Sequence, residues 1–300
     1  MNTDDRPADD RPAVDRLAGS APPAPAIADY VGYLLARAFK RARGCAEQAM
    51  PDGRMPRELG ALSVLHERGP VSQRELGELL GVNRTIMVKL VDGMEAAGLV
   101  RRERDPGDRR SYRITPTAES AATLDRLRGA ADRGEAVLVA RLTRAEHERL
   151  NELLAGLLPP SADPPRSLTS STGYLLAATH FHLRDRGTDA MRGLGIEPRD
   201  FGVLSAIAAL EPCSQQQVAR EMGVSGPAIV GSFDTLQAAG HIERERNPDD
   251  RREHVLRCTA RGRDILARAR AINDGIHDDL AGRLTRPGLD ELRALLTKII

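Results

Sequence analysis

Residues 72–110 read SQRELGELLGVNRTIMVKLVDGMEAAGLVRRERDPGDRR, and this stretch decides the fold. Ser72, with a glutamate three residues later, predicts the capped start of a short helix. Gly81 predicts a tight turn, because glycine adopts the left-handed backbone that such a turn needs. Asn83 then caps a second helix, and Gly98 marks its end. The stretch therefore begins as two short helices joined by a turn.

A predicted β-hairpin follows these helices. Residues 99–104 and 110–115 favour two strands, and the Pro-Gly pair between them favours a turn. Helix, turn, helix and hairpin together make a winged helix-turn-helix. Leucines at helical spacing predict longer helices around it, over about 28–48, from near Pro56 until Pro70 ends it, over about 117–140 and over about 144–158.

The same unit occurs twice in the chain. Residues 56–118 align without a gap on residues 198–260, at an offset of 142, with 24 identities in 63 positions. The turn glycine is among the matches, as Gly81 and Gly223. We call the two units copy one and copy two.

Proline-rich segments set the predicted domain boundaries. Residues 1–27 lack a periodic apolar face and predict a disordered tail. Residues 159–166 hold four prolines and predict a stiff linker. Copy one then spans 28–158 and copy two 167–300. The predicted fold is mainly α with small β-wings, built from two tandem winged helix-turn-helix units.

Composition excludes several classes of protein. The 300 residues carry 44 Lys and Arg against 43 Asp and Glu, so nucleic-acid binding must come from local patches. Three widely spaced cysteines argue against a disulfide framework. No apolar run reaches the roughly 18 residues of a membrane span, and the acidic N-terminus does not look like a secretion signal. We expect a cytoplasmic protein that does not bind membranes.

Each copy resembles a protomer of the multiple-antibiotic-resistance regulator (MarR) family of bacterial transcription factors. Copy one carries the resemblance in Ser72-Gln73-x-x-Leu76-x-x-x-Leu80-Gly81-Val82, Leu90-Val91 to Gly98-Leu99-Val100 and Asp105-x-x-Asp108-Arg109-Arg110. Copy two repeats it in Gln215 to Gly223-Val224, Ala238-Ala239-Gly240 and Asn247-x-x-Asp250-Arg251-Arg252.

The resemblance implies a DNA-binding protein that acts as a dimer. Family members are usually homodimers whose terminal helices interlock and place two winged helices on one face of double-stranded DNA. Here both protomers lie in one chain, so we expect an intramolecular pseudo-dimer, meaning that the two copies pair as two protomers would. A dimer of this chain, with four winged helices, stays an open alternative.

The second helix of copy one supplies the first set of predicted DNA contacts. Helical spacing predicts an inward face of Met87, Leu90, Val91 and Met94, and an outward face of Asn83, Arg84, Thr85, Val88 and Lys89. Arg84 and Lys89 suit guanine or phosphate, Asn83 suits adenine, and Thr85 suits a thymine methyl group or phosphate. The alternative is an ordinary solvated helix face.

The wings supply the second set. Arg109 and Arg110 in copy one, with Arg251 and Arg252 in copy two, lie near predicted hairpin tips. Arginine at such a tip suits the negative potential of the minor groove. The alternative is a cluster of surface ion pairs, which contributes little.

Copy two departs from the pattern at its second helix. The positions equivalent to the outward face are Ser225, Gly226, Pro227, Val230 and Gly231, of which only Ser225 keeps a polar side chain for DNA. The net charge is +2 over residues 71–113 and −2 over 213–255. We therefore expect copy one to dominate DNA affinity, and the operator to be less palindromic than that of a homodimer.

The resemblance also implies a small-molecule effector, often aromatic or anionic, between the dimerisation helices and the winged helix. Its candidate residues are Tyr33, Arg37, Arg41, Tyr174, His180, His182 and Arg184. Plain helix packing is the alternative for each of them. A metal site is not expected, because His180 and His182 point to different sides of a helix.

No catalytic or cofactor motif is present, so we expect neither an enzyme nor a bound cofactor. The sequence predicts a transcriptional regulator, most often a repressor in this family. The alternative is a ligand sensor or protein-binding module that binds DNA weakly or not at all through copy two. The second helix of copy two favours that alternative because it lacks Lys and Arg, with Pro227 and Val230 predicted exposed and Phe233 nearby.

Overall fold

The structure is a computed structural model, and it describes residues 30–51, 53–105, 112–159, 166–246 and 254–300. The predicted tail over 1–27 and most of the predicted linker lie outside the described residues, as do both hairpin tips. The elements of copy one are α1 (Val31–Ala49), α2 (Pro56–Arg68), β1 (Val71–Ser72), α3 (Gln73–Leu80), α4 (Arg84–Ala96), β2 (Val100–Arg104), β3 (Tyr112–Pro116), α5 (Glu119–Leu138) and α6 (Arg144–Leu157).

Copy two repeats this order after one short additional helix. Its elements are α7 (Arg166–Thr169), α8 (Thr172–Met191), a 3-10 turn (Arg192–Leu194), α9 (Pro198–Leu210), β4 (Cys213–Ser214), α10 (Gln215–Glu221), α11 (Gly226–Ala238), β5 (Ile242–Arg246), β6 (His254–Cys258), α12 (Ala260–Leu284) and α13 (Arg286–Ile299). None of the described helices has an apolar stretch long enough to cross a membrane.

Local side chains position the helix-turn-helix of copy one. The Ser72 hydroxyl accepts from the Glu75 N–H at 3.1 Å and caps α3. The Asn83 Oδ1 accepts from the Ile86 N–H at 3.0 Å and caps α4. Gly81 between these helices has φ +62°, which explains the glycine at this turn. The turn therefore fixes where α4 begins.

Each wing belongs to a three-stranded antiparallel sheet in the order β1–β3–β2 or β4–β6–β5. Ile114 of β3 lies between Val71 of β1 and Arg102 of β2. Val71, Val100 and Ile114 are buried in the core of copy one, which anchors the hairpin to the helices. The two-residue strand β1 is not predicted from the sequence.

The two winged helices share hydrogen bonds at an offset of 142. The Thr117 hydroxyl donates to the Gly98 carbonyl at 2.7 Å, and the Thr259 hydroxyl donates to the Gly240 carbonyl at 2.7 Å. Both bonds join the residues just after α4 or α11 to the start of the following long helix, α5 or α12. The sequence repeat is thus a structural repeat.

The contacts of the chain divide it into two bodies that differ from the two sequence copies. The larger body lies within Ala28–Pro198 and Ala267–Ile299, and the smaller within Arg199–Leu266. The smaller body holds most of the winged helix of copy two. The larger holds the winged helix of copy one together with long helices of both copies. The predicted boundary between 158 and 167 stays a prediction.

Long helices of both copies pack on each other inside the larger body. Helix α1 contacts α5, α8 and α13, and α6 contacts α8 and α13. The buried leucines at these contacts come in equivalent sets, Leu34, Leu35, Leu150, Leu153 and Leu154 in copy one and Leu175, Leu176, Leu292, Leu295 and Leu296 in copy two. We call the contact of α1 and α6 with α8 and α13 the seam.

Candidate functional site

Helix α4 has one buried and one exposed face. Met87, Val91 and Met94 are buried in the core of copy one, and Leu90 is partly buried. The exposed residues include Asn83, Arg84, Thr85, Val88 and Lys89. The side chains proposed for DNA contact therefore project outward from the first half of a helix whose other face is fixed by packing.

Arg84 and Lys89 are cations without an acidic partner among the residues that the structure describes. The neighbouring Arg102 is different, because it binds the carboxylates of Asp92 at 2.5 Å and of Glu95. Arg102 joins β2 to α4 and steadies the recognition helix. Arg84 and Lys89 have no such role and remain available for an external anion.

Asn83 has a structural role that limits how it could read a base. Its Oδ1 accepts from the Ile86 N–H at 3.0 Å, while its amide nitrogen stays exposed with the residue. A bidentate contact with adenine uses both the amide oxygen and the amide nitrogen. The helix cap therefore competes with bidentate reading by Asn83.

Helix α11, the counterpart of α4 in copy two, exposes a face without positive charge. Ser225, Gly226, Pro227, Val230 and Gly231 are all exposed. The nearby carboxylate, Asp234, is bound by Arg244 at 2.9 Å, which repeats the pair of Asp92 and Arg102. Helix α11 is thus held like α4 and differs from it in the chemistry of its exposed side chains.

Phe233 does not belong to that exposed face. Its side chain is fully buried in the winged helix of copy two. The apolar surface that favoured a protein-binding module therefore reduces to Pro227 and Val230. The arginines predicted to contact DNA from the wings, Arg109, Arg110, Arg251 and Arg252, lie outside the described residues, and their contacts stay predictions.

A cavity of about 390 Å³ lies in the larger body between α1, α2, α5 and the segment of α7 and α8. Its wall is largely apolar, with Phe39, Met50, Leu59, Leu138, Leu168, Tyr174 and Phe181 among its residues. The buried Ser63 hydroxyl also lines it and has no hydrogen-bond partner among the described residues. Such a hydroxyl can form a hydrogen bond with an atom of a bound ligand.

Arginines lie at the rim of this cavity. Arg43, Arg57 and Arg128 are exposed and line it. Arg43 is bound to Glu47 and Arg128 to Asp125, while Arg57 has no acidic partner among the described residues. Arg57 also lines a wider groove of about 1080 Å³ beside α4. Arg57 is therefore the rim cation best placed to meet an anionic ligand.

Some of the residues predicted from the sequence for effector binding line the cavity or the wider groove, and the others line neither. Tyr174 lines the cavity, and His180 and Arg184 line the wider groove. Tyr33, Arg37, Arg41 and His182 line neither of them. Their effector role stays a prediction that this geometry does not favour.

His180 and His182 of α8 are held in their neutral form. Burial lowers the pKa of His180 to about 4, and its ring stacks on Phe39 with centroids 5.0 Å apart. Burial also lowers the pKa of His182. Neither ring therefore offers a positive charge to an anion near neutral pH.

The described residues hold no group of three or more His, Cys, Asp or Glu side chains arranged for a metal ion. The thiols of Cys45, Cys213 and Cys258 are buried. Burial raises the pKa of Cys45, and it raises that of Cys213 to about 11. The thiols of Cys45 and Cys213 are therefore poor nucleophiles.

Sequence comparisons place this architecture among known proteins. The sequence profile of the MarR family matches residues 53–111 and 194–253, one match in each copy. A candidate transcriptional regulator of the hcr operon of Thauera aromatica is 32% identical over 117 residues, which are 39% of this chain and 70% of that protein. The chain belongs to the MarR family. The 117 matched residues are fewer than the predicted span of one copy.

Two further comparisons found similar proteins. The uncharacterised HTH-type transcriptional regulator YcgE of Bacillus subtilis is 41% identical over 75 residues, 25% of this chain and 47% of that protein. This chain therefore spans about half the length of YcgE. The structure of the repressor CouR bound to a 23-mer DNA duplex is 30% identical, with a TM-score of 0.43, and covers 45% of this chain and 95% of that chain.

Sequence reasoning missed several residues of this MarR cavity, including Phe39 and Ser63. One sequence feature could have indicated the cavity. It is a serine within the apolar stripe of α2, which copy two repeats as Ser205. Both serines are buried and lack a hydrogen-bond partner among the described residues. A buried hydroxyl retained in both copies is a reason to look for a ligand beside it.

Proposed function

We propose that this chain is a DNA-binding transcriptional regulator, acting as a repressor, in which copy one provides most of the DNA affinity. The observation that carries the proposal is the exposure of Arg84 and Lys89 on α4, against Gly226 and Gly231 at the equivalent positions of α11. The protein works in the cytoplasm, where the DNA is, and performs no catalysis.

Helix α4 enters the major groove of double-stranded DNA with its N-terminal half toward the base edges. Arg84 and Lys89 donate charge-assisted hydrogen bonds to guanine or phosphate, and Thr85 contacts a thymine methyl group or phosphate. Arg102, through Asp92 and Glu95, keeps the helix at a fixed angle while it does so. The wing arginines Arg109 and Arg110 add minor-groove or phosphate contacts.

Copy two contributes less. Helix α11 offers a hydroxyl from Ser225 and close approach, but no cation to release counterions from DNA. Arg251 and Arg252 of its wing supply its main attraction. The operator is then unequal, with one half-site read in the major groove and the other held mainly through its backbone.

The two copies form one pseudo-dimer inside a single chain, with copy one over 28–158, a linker over 159–166 and copy two over 167–300. The packing of α1 and α6 on α8 and α13 supports this proposal, since every one of these contacts joins one copy to the other. A single chain then presents both winged helices without a partner chain.

The cavity binds a small effector with an apolar, aromatic body and an anionic group. Phe39, Tyr174 and Phe181 supply aromatic walls, Ser63 supplies a buried hydroxyl, and Arg57 meets the negative charge at the rim. The volume of about 390 Å³ suits a molecule of one or two rings. Binding favours an arrangement of the winged helix of copy one that no longer fits DNA.

Binding of the full chain to duplexes taken from the DNA flanking its own gene tests the proposed function. Fluorescence anisotropy over a range of salt concentrations should give a log–log slope between about −4 and −8, because each displaced phosphate counterion adds about −0.9. A scrambled duplex of equal length is the control for specificity. Absence of binding, or a slope near zero, would favour the alternative of a ligand sensor or protein-binding module.

A further inference from the structure

Two residues of copy one meet their own counterparts across the seam. Helices α1 and α8 align at an offset of 141, and helices α6 and α13 at 142. Phe39 stacks on its counterpart His180, with ring centroids 5.0 Å apart. Arg149 Nε lies 2.9 Å from Oε2 of its counterpart Glu291. Contacts between counterparts mark an approximate two-fold axis, and at both of them the two residues differ.

The charge pair at this axis discriminates between partners. In a seam formed by copy one with another copy one, Arg149 would face a second Arg149. Copy two paired with copy two would place Glu291 against Glu291. Both arrangements set like charges side by side, whereas pairing of copy one with copy two sets opposite charges together.

A second ion pair shows the same preference. Lys298 of α13 binds Glu146 of α6. The counterparts of these residues are Gly156 and Gly288. The contact that the two-fold axis relates to this ion pair therefore carries no charge. Neither copy could form this ion pair with a second copy of itself.

The crossing of α6 with α8 is polar and buried. Thr172 is fully buried, and its hydroxyl lies 2.7 Å from His147 Nε2, 2.8 Å from Asn151 Oδ1 and 3.0 Å from Glu135 Oε1. Glu135 also accepts from the Thr172 N–H at 2.9 Å. Three side chains of copy one thus satisfy one hydroxyl of copy two.

The related crossing, of α13 with α1, has a different chemistry. The counterparts of Thr172 and His147 are Val31 and Leu289, and both are buried. The counterparts of Glu135 and Asn151 are His277 and Arg293, whose Nε2 and Nη2 atoms lie 3.0 Å apart. Two crossings that would be identical in a homodimer therefore differ, because buried Val31 and Leu289 replace Thr172 and His147 while His277 and Arg293 replace Glu135 and Asn151.

We infer that this seam selects the pairing of copy one with copy two over the pairing of either copy with itself, so that like copies of two chains do not pair. This inference rests on the proposed pseudo-dimer. Pairing copy one with itself would set Val31 in place of the Thr172 hydroxyl and would set Arg149 against Arg149. Pairing copy two with itself would set Glu291 against Glu291. Lost hydrogen bonds disfavour the first alternative, and like charges disfavour both.

The full-length variants Thr172→Val, His147→Leu and the double variant His147→Leu/Thr172→Val test this inference. Thr172→Val alone should lower the unfolding midpoint by about 2–6 °C, because it removes a buried hydroxyl that hydrogen-bonds to three partly buried side chains. The double variant makes this crossing a Leu–Val pair like the other one. It should recover at least half of that loss, since the ring that needed the hydroxyl is also gone.

Sedimentation velocity without DNA reads out the partner choice. The double variant, in which copy one can pair with copy one of another chain, should form two-chain species at a lower concentration than the wild-type chain. Thr297→Val, at an exposed threonine of α13, is the matched control and should change neither measurement.

A double variant that forms two-chain species no more readily than the wild-type chain, or one whose loss of stability is the sum of the two single losses, would overturn the inference. Because neither measurement involves DNA, failure here is distinguishable from failure of the proposed DNA binding.

Discussion

Replacing Arg84 by alanine should weaken binding of the operator duplex by roughly 10- to 100-fold, because one charge-assisted contact to a base or phosphate contributes about 1–3 kcal/mol. The loss should appear in affinity and not in folding, since the Arg84 side chain is exposed and has no ionic partner among the described residues. Lys89→Ala should weaken binding in the same direction. Fluorescence anisotropy at one fixed salt concentration measures both effects.

Three matched variants separate a local contact from a general loss of charge. Arg144→Ala removes the same charge from the exposed start of α6 and should change affinity less than about twofold. Arg251→Ala should cost less than Arg84→Ala, because copy two has a weaker hold on DNA. Gly226→Arg, which places a cation at the counterpart of Arg84, should strengthen binding. Equal losses from Arg84→Ala and Arg251→Ala would contradict the proposed asymmetry.

Filling the cavity should abolish effector binding and leave DNA binding intact. Ala177 of α8 is partly buried and lines the cavity, so Ala177→Phe would place a phenyl ring in a space of about 390 Å³. Binding of the aromatic anion 1-anilinonaphthalene-8-sulfonate, followed by its fluorescence, should weaken roughly tenfold or more. DNA affinity should stay within about twofold, since the ring occupies empty space away from α4.

Ala122→Phe is the control for this experiment. Ala122 is an exposed alanine of α5 that does not line the cavity, so the same ring added there should leave dye binding unchanged. Equal dye binding by wild type and Ala177→Phe would show that the cavity is not the effector site. A parallel loss of DNA affinity and of dye binding would indicate a folding defect, which the unfolding midpoint of Ala177→Phe detects.

The recognition helix could be predicted from the sequence almost residue by residue. Its helical period separates Met87, Val91 and Met94 from Arg84 and Lys89, and burial alone sorts these two sets onto opposite faces. The caps and the turn are equally local features. Copy two repeats the same sequence pattern without a gap, which supports the helix prediction independently.

Features that depend on distant parts of the chain could not be predicted in this way. Strand β1 has two residues and exists because Val71 pairs with Ile114, far along the chain. Helix α7 is a single turn, held where the Glu67 carboxylate accepts from the backbone N–H groups of Arg166 and Ser167 at 2.7 and 3.1 Å. Neither segment has a periodic pattern long enough to detect.

The cavity could not be predicted from the sequence, because it too depends on distant parts of the chain. Its wall combines Phe39 of α1, Ser63 of α2 and Leu168 of α7, which the fold brings together from both copies. Family resemblance directed attention to charged residues of the long helices, yet Arg37 and Arg41 line neither the cavity nor the groove. Helical periodicity identifies which residues are inside, but it does not say which inside surfaces are left unfilled.

Selection of bound sequences from a random duplex library by the wild-type, full-length chain tests whether copy one dominates DNA recognition. We expect one strongly specified half-site, read by α4, beside a second half whose bases are nearly unconstrained. A palindrome with two equally specified halves, or no enrichment at all, would contradict this expectation.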